Sequence, residues 1–242
     1  MNGFVVRFKY GRFIWTVLAA LYFVIFFVNF FRDAAPTQLL VPVLFATAFV
    51  LWLSVEYYFG SPFFQSGASE PSALWRGVFA FFIYPCLGYI VADFAWWHWT
   101  QIPAPPLALG VIGLVVFGIG TYLRLTTLFD LLRIAQVKSV PGAKGKAPLE
   151  HVVIPERKFM ALRFQRRSRH PRYFASFIQM AGMALVFNSW GGLVLILAVG
   201  LPLILIQARH EDRQLRSVLK GEYQNYAASV PFFWPVFGRT VR

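Results

Sequence analysis

Two short polar clusters bracket the longest uncharged run in this sequence. Arg169-His170-Pro171-Arg172-Tyr173 leads into it, and His210-Glu211-Asp212 follows it. A guanidinium can grip a carboxylate at two points, a carboxylate can hold an ammonium, and a tyrosine ring can stack on a base. Together these types suit a ligand that is both zwitterionic and aromatic, with Arg169 for its carboxylate, Glu211 or Asp212 for its ammonium and Tyr173 for its ring. Ionisable groups at the edge of an apolar core are costly, which makes a dense set of them a functional candidate. The residues also admit a plainer reading, in which the arginines anchor the chain at lipid headgroups, the two acids answer them and Tyr173 is an interface aromatic.

Other motifs carry less. Gly118-Ile119-Gly120 lies inside an apolar stretch and follows no strand, so it is not a dinucleotide loop, and Gly142-Ala143-Lys144-Gly145-Lys146 lacks the spacing and the Ser or Thr of a phosphate loop. His98, His151, His170 and His210 do not stand at metal-ligand spacing, and no metal is implied.

For the two clusters to meet, the run between them must turn back on itself. Tyr173 to Ala208 holds 36 residues without a charge, too many for one comfortable span, and Asn188-Ser189-Trp190-Gly191-Gly192 breaks it midway. The pattern predicts a tight helical hairpin whose ends come together. Beyond it, Leu215, Leu219, Tyr223 and Tyr226 recur at helical spacing among charges over 209–228, which predicts an amphipathic helix returning along the membrane surface.

The rest of the chain provides the setting. It has 242 residues, 58% hydrophobic, 19% aromatic and 14% charged, against about a quarter charged in a soluble domain. Besides the hairpin, four stretches are apolar enough to cross a bilayer, about 13–31, 39–59, 74–97 and 106–123, with Pro36, Pro62, Pro71 and Pro103-Ala104-Pro105-Pro106 between them. Arg7, Lys9 and Arg12 ahead of the first stretch resemble a signal peptide, but the stretch is too long and the cleavage site poor, so it is read as a retained span. Trp96, Trp97 and Trp99 around His98 form an interfacial belt, with His98 as an interface residue.

From Arg124 to Arg172 twelve Lys or Arg face Asp130, Glu150 and Glu156. This segment is expected to lie, part helix and part loop, against the headgroups. The expectation is an all-α, polytopic transmembrane protein of about six spans, with both termini cytoplasmic, a C-terminal helical hairpin and a surface amphipathic helix. The expected division is a four-span membrane region, 1–123, and a region, 124–242, that carries the basic segment, the hairpin and the candidate site. The net charge of +13 reads as positive-inside orientation and attraction to membrane lipids, because no nucleic-acid-binding motif accompanies it. Cys86, the single cysteine, permits no internal disulfide.

At the two polar clusters the sequence resembles the isoprenylcysteine carboxyl methyltransferases, integral membrane enzymes that also look like membrane phospholipid methyltransferases. The family pattern runs Arg-His-Pro-x-Tyr, a glycine in the hairpin, an acidic pair before a leucine, two tyrosines and Val-Pro. Here these are Arg169-His170-Pro171-Arg172-Tyr173, Gly182, Glu211-Asp212 with Leu215, Tyr223 and Tyr226, and Val230-Pro231, within 160–235. The chain departs from the pattern at Asp212, where Glu is usual, at Ala175 for a glycine, at Lys220-Gly221 and at Arg163-Phe164-Gln165.

The resemblance implies a membrane enzyme that uses S-adenosyl-L-methionine, in which His170, Pro171, Tyr173, Glu211 and Asp212 help hold the cofactor and Arg169 lies near the reacting group. It implies a lipidic or hydrophobic methyl acceptor, such as a prenylated cysteine carboxylate, a lipid amine or a thiol. The active site would face the cytoplasm in a bacterial inner membrane or the endoplasmic reticulum. Membrane sterol and steroid reductases, which use NADPH, end on a similar arginine-histidine, acidic, tyrosine and Val-Pro pattern and supply the alternative.

Overall fold

The computed structural model of the chain describes residues 36–59, 84–137 and 163–236. Its elements are helices. They are α1 (Pro36–Phe59), α2 (Tyr84–Ala92) ending in a π turn at Asp93–Trp97, α3 (Pro106–Val137), α4 (Pro171–Val186), α5 (Trp190–Leu195) with a π turn at Ile196–Gly200, and α6 (Leu201–Ser229). No strand forms among the described residues, apart from one isolated bridge between Gln101 and Ser189. The reason is physical: in hydrocarbon the backbone has no water to bond with, and a helix satisfies it within one segment. Leu39–Glu56, Pro106–Asp130 and Trp190–Ser217 are long and apolar enough to cross a membrane. The protein is an all-α polytopic membrane protein.

Of the six expected spans, the one at 13–31 lies outside the described residues, as does the start of the one at 74–97. The span expected at 106–123 does not stop there, because α3 runs on to Val137 across the expected 123/124 division. Arg124 is buried and paired instead of facing headgroups, so its charge does not end the helix. The amphipathic tail is present, with Leu215 and Tyr223 buried and Arg213, Arg216 and Ser217 exposed. It is the outer half of α6, continuous with the second arm of the hairpin.

The hairpin turns at Phe187–Ser189, where Asn188 takes the left-handed conformation (φ 55°) and Ser189 caps α5 by accepting a hydrogen bond from Gly192 N at 3.0 Å. Its first arm, α4, has 16 residues and is about 24 Å long at ~1.5 Å per residue, shorter than a ~30 Å hydrocarbon core. α3 shields it at backbone contact. A Cβ on Gly182 would lie 2.5 Å from Phe117 N and 2.8 Å from Gly113 O, and one on Gly120 would lie 2.8 Å from Ala175 O. Small residues at a crossing let helix backbones touch, which is how helices associate in lipid without a hydrophobic driving force. The opposite face of α3, with Leu107, Val111, Val115 and Ile119, is exposed for lipid.

At the turn end of the hairpin, a knot of polar side chains binds α2 to α5. The buried Asp93 carboxylate accepts from Trp99 N (2.8 Å), Thr100 N (3.1 Å), Thr100 Oγ1 (2.5 Å) and Ser189 Oγ (3.0 Å). Backbone bonds from Trp190 N to Thr100 O and from Ile102 N to Asn188 O, both 2.9 Å, complete it. At the other end of α3, the exposed Arg163 pairs with Asp130 at 2.8 Å. The knot and the Arg163 end should therefore lie on opposite sides of the bilayer. In a protein with Cys86 replaced by Ala, single cysteines at Trp99 and Arg163 should react with an impermeant thiol reagent from opposite faces of sealed vesicles; labelling of both from one face would reject this topology.

Candidate functional site

Pro171 stands at the first position of α4 and His170 caps it with non-helical backbone (φ −125°, ψ 61°). A proline suits that position, since its missing N–H would have no intrahelical acceptor there. The loop ahead of it is laced to the C-terminal segment. Arg169 N donates to Pro231 O (2.9 Å), Ser168 Oγ to Phe233 O (2.8 Å), Val236 N to Arg167 O (3.2 Å) and Tyr226 Oη to Gln165 O (2.6 Å). The Arg-His-Pro cluster and Val230-Pro231, far apart in sequence, thus share one strip of backbone.

Asp212 is the hub of the side chains. Oδ1 accepts from Arg169 Nη1 (2.8 Å) and Tyr223 Oη (2.7 Å), and Oδ2 from Arg169 Nη1 (3.0 Å) and Arg216 Nε (3.0 Å). A carboxylate offers about four lone-pair sites, so these bonds use its accepting capacity. The geometry therefore gives Asp212 the task of holding Arg169 and Tyr223 in place. The sequence offers Glu211 or Asp212 for a ligand's ammonium, and in this structure Asp212 is bonded to the chain's own Arg169 and Arg216. Burial and the adjoining Asp212 carboxylate keep the Tyr223 hydroxyl protonated far above the usual phenol range.

The His170 ring is fully buried. It lies 5.1 Å from the Phe232 ring, edge to face, and 5.8 Å from Tyr173. Its Nε2 is 3.8 Å from Asp212 Oδ1, an electrostatic neighbour beyond hydrogen-bond length. The guanidinium of Arg169 sits 5.2 Å from the centre of Phe232 and that of Arg209 6.0 Å from it. Glu211 is buried on α6, and Tyr173 is half-buried in the first turn of α4. His210 meets its i+4 neighbour Gln214 at 2.9 Å. The predicted site residues Arg169, His170, Tyr173 and Asp212 do come together, and Phe232 joins them, which the sequence reading did not single out.

Arg172, the variable position of the motif, goes elsewhere. Its Nη2 donates to Glu56 Oε1 at 2.5 Å, and Glu56 also accepts from Arg124 Nε and Nη2 at 2.6–2.8 Å. All three residues are buried. Sequence reasoning passed over this cluster, although Glu56 is the one charge in the stretch expected at 39–59, and a lone acid in an apolar span signals a buried partner.

No family model matches this chain, and no curated protein does. Its site is defined by its own residues. Asp212→Asn should leave two guanidiniums without their counter-charge and lower stability by about 3 kcal/mol. Arg216→Ala, which removes a half-exposed partner, should cost under about 1 kcal/mol. Chemical denaturation of the purified variants measures both, and equal losses would deny Asp212 its central place.

Proposed function

We propose that the chain is an integral membrane S-adenosylmethionine-dependent methyltransferase acting on a lipidic or hydrophobic acceptor. One observation carries the reading: Arg169-His170, Tyr173, Asp212 and Pro231, separated parts of the methyltransferase-like pattern, meet in one place, with Phe232 beside them. S-adenosylmethionine presents a carboxylate, an ammonium and an aromatic base, and the residues present fit it by type. Tyr173 and Phe232 offer rings, Glu211 a buried carboxylate, and Arg169 has a buried Nε that makes no hydrogen bond.

When bound, the cofactor would supply a methyl group on an activated sulfonium. Tyr173 would stack on the base and Glu211 would hold the ammonium. Arg169, fixed from behind by Asp212, would orient the acceptor's polar head while the acceptor's tail stays in the bilayer. Little covalent help is required, so alignment would provide most of the rate. A carboxylate or thiolate acceptor would need no general base, whereas an amine or hydroxyl would. On this reading the site faces the cytoplasm, in a bacterial inner membrane or the endoplasmic reticulum.

Calorimetric titration of the purified protein with S-adenosylhomocysteine and, separately, NADPH tests the proposal. Saturable binding of the first alone supports it, and binding of NADPH alone would favour the reductase reading. Glu211→Gln keeps the side chain's shape but removes its charge, and should weaken S-adenosylhomocysteine binding by about 1–3 kcal/mol; unchanged affinity in the folded variant would remove Glu211 from the site.

Arg169→Lys retains the positive charge and loses the planar fork. It should lower methyl transfer at least about tenfold through misalignment of the acceptor, with a smaller change in cofactor affinity. Near-normal turnover would remove Arg169 from the reacting site and leave it as a structural partner of Asp212.

A further inference from the structure

The Glu56 cluster joins three helices one residue away from the candidate site. Glu56 on α1 accepts from Arg124 on α3 and Arg172 on α4. Arg124 Nη1 donates to Ser176 Oγ, and Ser176 Oγ donates to the carbonyl of Arg172 at 2.9 Å. The Arg124 guanidinium also rests 5.5 Å from the centre of the Trp52 ring, and Trp52 meets Phe117 of α3 at 6.3 Å. Each of these contacts ends on the first turns of α4 or on the helices that flank it.

That first turn carries the site. His170 caps α4, Pro171 opens it, and Arg172 and Tyr173 follow. On a helix a side chain points about 100° away from its predecessor, so Arg172 can face α1 while its neighbours face α6 and the C-terminal segment. The observed contacts divide in this way. Arg172 reaches Glu56, whereas Arg169 and His170 adjoin Asp212 and Phe232. A rotation of α4 about its axis, or a slide along it, would have to break the Glu56 bonds.

We propose that the Glu56–Arg124–Arg172 cluster is a positioning device that sets the rotation and height of the α4 start, and with it the placement of His170 and Tyr173 for ligand binding. The residues act through Tyr173 and His170 and do not touch the ligand. This inference rests on the methyltransferase reading, because S-adenosylhomocysteine is the probe.

The test is the affinity of purified full-length protein for S-adenosylhomocysteine, measured by calorimetry well below the melting temperature of each variant. Glu56→Gln, of nearly the same shape, should weaken binding about tenfold, the scale of coupling between residues in contact. Thr100→Val removes the hydroxyl donor from the Asp93 knot at the far end of the molecule, so it should lower the melting temperature and leave affinity within about twofold of wild type. Should Glu56→Gln fail to fold, Arg172→Lys, which keeps the charge and loses the fork, reads the same quantity.

If wild type binds and the cluster variant binds equally well, the positioning role is overturned while the methyltransferase reading stands. The same holds if affinity merely follows melting temperature across the cluster and Thr100 variants. If wild type itself does not bind, both fall together.

Discussion

A carboxylate withdrawn from water must have its charge answered by the protein, and this structure buries such groups where its pieces have to be joined. Asp93 ties the turn after α2 to the hairpin tip. Glu56 ties α1 to α3 and α4. Asp212 ties α6 to the Arg169 loop and, through Tyr223, to its own outer half. Removing one partner from such a group leaves a charge with nowhere to go, so these joints resist rearrangement more than apolar contacts would. In a membrane, where burying a hydrocarbon side chain gains little over leaving it in lipid, polar joints and close backbone packing set the arrangement.

The α3–α4 contact supplies the second constraint. With Gly113, Gly120 and Gly182 at the crossing, the two backbones lie too close for a side chain between them. α4 is therefore located by α3 along its length and by Glu56 at its start. A binding site needs its side chains held on rigid elements by a supporting shell. The first turn of α4 has such support on the side away from the candidate site, and Asp212 with the 230–236 segment provides it on the near side.

Much of this was legible in the residues. The uncharged run with a polar, glycine-containing break foretold the hairpin, and the break falls where the turn forms, at Phe187–Ser189. A hairpin's ends meet by geometry, so Arg169 and Asp212 could be expected as neighbours before their bond was seen. Other features were not legible because charge alone does not report depth. Arg124 looked like the first of a headgroup-facing series but is buried beneath Trp52 and Glu56, and for that reason α3 continues past it. Arg172, within the motif, resembled its neighbours in type but turns to another helix. Asp212 resembles its neighbour Glu211 in type, but the four bonds it accepts from Arg169, Tyr223 and Arg216 depend on which side chains stand opposite it. Hydropathy sees none of these distinctions, since each depends on which helix stands opposite.

The central proposal is that the loop before α4, the middle of α6 and the 230–236 segment together form one cofactor site. Photo-crosslinking of radiolabelled S-adenosylmethionine to the purified protein, followed by peptide mapping, tests it most directly, since light links the cofactor to residues in contact with it. The account predicts label within residues 163–174 or 209–236, removed by excess S-adenosylhomocysteine. Label confined to 36–59 or 106–137, or label that the competitor does not displace, would contradict it.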